Sequence, residues 1–156
     1  MYDEKFMKEA LVLARQCFET GRGGPFGAVV VKDGEIIGRG ANSVTTNNDP
    51  TAHAEVLAIR EACENLNTFQ LNDCEIYSSC EPCPMCLGAI YWARPKALYF
   101  AAGREDAANG GFDDSFIYDE INQKTEERKI PTFWKPSETA VEIFEEWKRF
   151  EGKVEY

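Results

Sequence analysis

Two short segments, far apart in the chain, constrain its fold more than anything else in it. One is His53-Ala54-Glu55. The other is Cys83-Pro84-Met85-Cys86, within the longer run Pro82 to Cys86. Each stands at the start of a predicted helix that follows a strand or a loop. A fold that uses both must carry two helix starts to one place. His53 is the one histidine among 156 residues, so multi-histidine metal sites within one chain are excluded.

The elements around these segments read as follows. Phe6, Ala10, Leu13, Ala14 and Cys17 recur at helical spacing, which predicts a helix over 3–20 with Asp3 as N-cap and Gly21 past its end. Phe26 to Val31 is a β-branched run, a buried strand. Asp33-Gly34 is a tight-turn signal, and Glu35 to Asn42 is the antiparallel return. Thr45 to Pro50 reads as a polar loop. A helix over about 51–65 follows, with Ala54, Leu57, Ala58 and Ala62 inward. Glu75 to Ser79 is a short strand. Pro84 suits the first turn of the next helix, which stops before Pro95. Ala97 to Ala102 is another strand. Strands alternating with helices predict an α/β class: a three-layer α/β/α sandwich with a mixed sheet of about five strands.

The length fits one domain, residues 1–156, with 130–156 as a C-terminal tail segment. At 44% apolar residues the chain can bury a sizeable core. No apolar run approaches the ~20 residues that span a bilayer, and the first residues carry no apolar signal-peptide core. The expectation is a cytoplasmic protein with no membrane partner. Residues 103–128 hold eight acids and three bases, a solvated helical surface. Lys129 to Pro136 is extended. Residues 138–150 form an amphipathic helix, with Ala140, Ile143, Phe144, Trp147 and Phe150 on one face.

One imidazole and two thiols make a three-ligand set for zinc, expected at one ion per chain. Two cysteines separated by two residues chelate one ion when their loop opens a helix. A helix start also aims N–H groups and a positive dipole end at thiolates. Three protein ligands leave the fourth tetrahedral position to water, as in catalytic sites. Zinc lowers the pKa of such water to about 7. Glu55, two residues after His53, does not share its helix stripe. It can therefore take that water's proton rather than compete for the metal.

Alternatives stand beside this reading. A redox C-x-x-C needs only local context and leaves His53-Ala54-Glu55 unexplained. A closed structural site recruits Cys80 as a fourth ligand and leaves Glu55 idle. The six cysteines could pair, but the absence of a secretion signal argues for a reduced compartment. Cys17, Cys63 and Cys74 lie in apolar settings and read as core.

The two-part pattern resembles the zinc-dependent nucleobase deaminases, whose signature is H-x-E followed by P-C-x-x-C. The matching residues are His53, Glu55, Pro82, Cys83 and Cys86. Longer segments are similar to the small bacterial-type guanine deaminases: Gly24 to Ala28, Asp49 to Glu55, Ser79 to Arg94, Gly111 to Tyr118, and the terminal Tyr156. The first two are partly shared with tRNA adenosine deaminases. This resemblance implies a cytidine-deaminase-like fold and hydrolysis of guanine to xanthine and ammonia in purine catabolism or salvage. Alternatives are a tRNA adenosine or other nucleobase deaminase, or a structural zinc domain without turnover.

The net charge of −10 favours a neutral small molecule over a polyanion, so no nucleic-acid partner is expected. Guanine offers two adjacent donors, and a carboxylate is their natural acceptor. Asp113 and Asp114 supply one, and the resemblance selects Asp114. It also implies Asn42 on a purine edge, Phe26 and Trp92 as aromatic walls, and the backbone N–H of Ala54. Further, it implies that Tyr156 closes the pocket and that the protein is a homodimer, with the tail open to exchange between subunits.

Overall fold

The Asp33-Gly34 pair makes the turn that starts the sheet. Both residues are left-handed, at φ 50° and 81°. That is the geometry a two-residue hairpin demands. The turn joins β1 (Gly27–Lys32) to β2 (Glu35–Ala41). In this computed structural model, which describes all 156 residues, β1 also pairs antiparallel with β3 (Glu75–Cys80). β3 then pairs in parallel with β4 (Ala97–Ala102), giving a mixed sheet in the order β2-β1-β3-β4.

The sheet has four strands, where about five were expected. Beyond Ala102 the chain turns helical, as α5 (Arg104–Asn109) and α6 (Ser115–Asn122). These acidic segments lack the β-branched alternation that would extend the sheet.

Alternation along the strands builds three layers. Val29, Val31 and Tyr77 face Phe6 and Met7 of α1 (Glu4–Glu19). Ala28, Val30 and Ile76 face the other way. They pack with Ala54, Ala58 and Ala62 of α3 (Ala54–Leu66) and with Ile90 and Ala93 of α4 (Pro84–Ala93). Small residues on α3 bring it close to β2. Cβ atoms at Gly38 and Gly40 would collide with the carbonyls of Ala58 and Ala54.

Asp3 is the N-cap of α1, as expected, and accepts from the backbone N–H of Lys5; the helix begins at Glu4. Helix limits depart from expectation further along the chain. The polar loop at 45–50 contains a single helical turn, α2 (Val44–Asn47), ended by left-handed Asn48. Asp49 then takes both the backbone N–H and the hydroxyl of Thr51, at 2.8 and 2.7 Å. This turn delays α3 to Ala54 and makes His53 its N-cap.

By its contacts the chain divides into two compact units, Met1–Asp114 and Ser115–Tyr156. The first contains the sheet. In the second, α7 (Glu138–Arg149) starts at Ser137, whose hydroxyl accepts from Ala140. Its Val141, Ile143, Phe144 and Trp147 side chains are exposed. No helix is long and apolar enough to cross a membrane.

Candidate metal centre and active site

Two helix starts converge on one point. His53 caps α3 and Cys83 caps α4, with Pro84 as the first residue of α4 and Cys86 in its first turn. His53 Nδ1 lies 3.5 Å from Cys83 Sγ and 3.4 Å from Cys86 Sγ. All three ligand atoms fall within 4.8 Å of one another. A tetrahedral zinc with Zn–S of about 2.3 Å and Zn–N of about 2.0–2.1 Å requires N···S separations of about 3.5 Å. The residues fit the ion in donor type and in spacing.

The protons of this group are arranged for exchange with a cation. Cys83 is held down to about 4, first by the thiol of Cys86 donating to it, with His53 adding to the effect. Cys86, fully buried, is pushed up as the donor of that contact. His53 is raised by its hydrogen bond to Cys83. A divalent ion held by His53, Cys83 and Cys86 would displace these protons and leave both thiols ionised.

Cys80 lies outside the group. Its thiol points to the Gly103 carbonyl, at 3.7 Å, and burial pushes its pKa up to about 11. A four-ligand closed site therefore finds no support here. All six cysteines are free thiols, with Cys17 and Cys74 buried and Cys63 half-buried.

Glu55 sits in the first turn of α3, only 5% exposed. Burial raises its pKa above the usual carboxylate range, while hydrogen bonds from its own backbone N–H and from Ser78 oppose the shift. Ser78 Oγ donates to Glu55 Oε1 at 3.1 Å. A carboxyl group beside the ligand set, with its proton affinity raised, is suited to proton transfer.

This geometry marks a zinc site with a carboxyl group at its edge, and a family comparison decides which kind. Residues 1–102 match the model of the cytidine and deoxycytidylate deaminase zinc-binding region. The chain belongs to this deaminase family. It is 58% identical to guanine deaminase of Bacillus subtilis (strain 168), with both chains covered in full. The X-ray structure of guanine deaminase from Bacillus subtilis superposes with a TM-score of 0.97 at 58% identity, covering 100% of this chain and 99% of that one. A tRNA-specific adenosine deaminase of Aquifex aeolicus (strain VF5) is 41% identical over 94% of each chain. Zinc is accordingly the cofactor of this family member, with His53, Cys83 and Cys86 the group able to hold one ion.

Other expected site residues fall at different places. Asn42 follows the last residue of the return strand and is buried. Its side-chain oxygen accepts from Val44 N–H at 3.3 Å, which turns the amide NH2 away from that contact. Phe26 packs edge-on against Phe112, ring centroids 4.9 Å apart. Ala54 is wholly buried at the first position of α3. Asp114 is half-buried, and its pKa is raised by burial first and by Cys83 second. Asp113 is exposed. Trp92 is 64% exposed on α4 and lies six residues past Cys86, about 240° round the helix from it. Tyr156 lies in the second unit, also exposed.

Sequence reasoning missed two participants. Ser78 reaches Glu55, and the available signal was a pair of hydroxyl residues, Ser78-Ser79, inside a fully buried strand. Phe112 meets Phe26 and also bounds Gly24, where a Cβ would lie 3.1 Å from its ring.

Proposed function

We propose that the chain catalyses hydrolytic deamination of free guanine to xanthine and ammonia. The observation that carries this is the 58% identity to a guanine deaminase over the full length of both chains. In the reaction water adds to ring carbon 2, and the bond from that carbon to its amino group breaks. Zinc, when bound by His53, Cys83 and Cys86, supplies Lewis-acid activation at neutral pH. Glu55 takes one proton of the attacking water and passes it to ring nitrogen 3; it then takes the second, from the new hydroxyl on carbon 2, and gives it to the amine, which leaves as ammonia while the carbonyl of xanthine forms.

The remaining side chains orient the base. Asp114 accepts from the ring N1–H and the 2-amino group. The Asn42 amide donates to an acceptor on the purine edge, and the backbone N–H of Ala54 assists. Phe26, braced by Phe112, offers an apolar wall. Trp92 and Tyr156 belong to the reading on resemblance. Trp92→Ala with unchanged KM removes the first, and unchanged turnover after deletion of residues 152–156 removes the second.

A homodimer and a cytoplasmic location complete the proposal. Exposed Ile143, Phe144 and Trp147 on α7 support a surface that a second copy covers, and the four cysteines outside the ligand set, none of them disulfide-bonded, support a reducing compartment. Light scattering measures the first.

A second reading, adenosine deamination in tRNA, draws on the 41% identity to the Aquifex aeolicus enzyme. A net charge of −10 argues against it. Purified protein assayed on guanine and on a tRNA anticodon stem separates the two. Release of ammonia from guanine alone supports the proposal, and inosine formation in the tRNA without guanine turnover overturns it.

A further inference from the structure

We infer that Ser78 is a positioning residue for Glu55: its hydroxyl holds Oε1, so that the other carboxylate oxygen is the one left for proton transfer. This rests on the function proposed above. Ser78 lies on β3, two residues past Ile76, and so projects from the same face of the sheet toward α3 and α4. That face is otherwise apolar at Ala28, Val30 and Ile76. A hydroxyl there, 2% exposed, must find an acceptor, and Glu55 Oε1 is 3.1 Å away. The backbone of Ser78 is held on both sides, registered with Ala28 of β1 and Phe100 of β4.

The Ser78 hydroxyl is the side-chain donor set against Glu55 Oε1. A carboxylate anchored at one oxygen from a central strand presents its second oxygen in one place. Without the anchor the group turns about its last torsion, and the proton path loses its geometry.

The test uses the full-length, zinc-loaded protein carrying Ser78→Ala or Ser78→Thr. For Ser78→Ala, kcat on guanine is expected to fall about tenfold to a hundredfold, with KM within about twofold. Zinc content and melting temperature stay at parent values, and Ser78→Thr restores kcat. An unchanged kcat, or a fall in kcat that comes with loss of zinc, overturns the inference in favour of a packing role. If Ser78→Ala does not fold, Ser78→Thr is compared with Ser78→Val, which differs from it only in the hydroxyl. Equal rates in that pair overturn the inference. An infrared carboxyl band, assigned to Glu55 by difference against Glu55→Gln, reads the contact without turnover. It shifts in Ser78→Ala and not in Ser78→Thr if the hydroxyl holds the carboxyl. A parent protein inactive on guanine defeats the proposed function, while an unmoved band defeats the positioning role.

Discussion

Gly40 of β2 lies directly against the carbonyl of Ala54, the first residue of α3. A side chain at Gly40 would meet backbone, which cannot swing aside. Since His53 caps α3 and Glu55 lies in its first turn, this contact sets how deeply the metal ligand and the acid sit over the sheet. Gly38 repeats the arrangement one turn further along, against the Ala58 carbonyl.

Gly40→Ala is therefore expected to push α3 off the sheet and to disturb the zinc site at a distance. The cost of overpacking such a contact is about 1–3 kcal/mol. Melting temperature and zinc per chain measure it. A variant with parent stability and full zinc would mean that β2 gives way instead.

Glu55→Gln should keep the fold and the zinc but lose turnover. An amide of the same shape fills the same space and cannot carry the proton. Stability should hold or rise, because the variant no longer buries an ionisable group whose pKa is raised by desolvation. Loss of zinc in this variant would make Glu55 a ligand.

Zinc affinity should weaken as pH falls. Both thiols and the imidazole must be unprotonated to bind, and each proton competes with the ion. Cys86 is pushed up and His53 is raised, so uptake at neutral pH releases protons. Competition with a chelator between about pH 6 and pH 8 reads the slope. Cys83→Ser and Cys86→Ser should each lose the metal. A pH-independent affinity contradicts a thiolate site.

Asp114→Asn should cut kcat/KM on guanine by about 1–3 kcal/mol, since two base donors lose part of their shared acceptor. Asp113→Asn, at an exposed position, should stay near the parent. Steady-state kinetics of the pair decides between the carboxylates. Equal losses would mean that both act, and no loss at Asp114 would take it out of the pocket.

The chemistry was legible in the sequence because it rests on residue types at short spacing. His53 with Glu55, and Cys83 with Cys86, are local patterns that one helix start can present. The Asp33-Gly34 turn, β4 and the apolar stripe of α1 were legible for the same reason: periodicity and turn preference act over a few residues. What depended on long-range packing was not legible. The sheet stopped at four strands because nothing after Ala102 paired with its edge. Two further features turned on local geometry that the residue types did not announce: left-handed Asn48 closed the single turn Val44–Asn47, and the Asp49–Thr51 turn delayed the start of α3. Ser78 looked like any buried polar residue until β3 and α3 were laid together and its hydroxyl met Glu55. Only the tertiary structure decided that His53 and Cys86, 33 residues apart, stand 3.4 Å from each other. The physical reason is that a ligand set spread over two helices is assembled by the sheet beneath them, and close packing of small residues sets its dimensions.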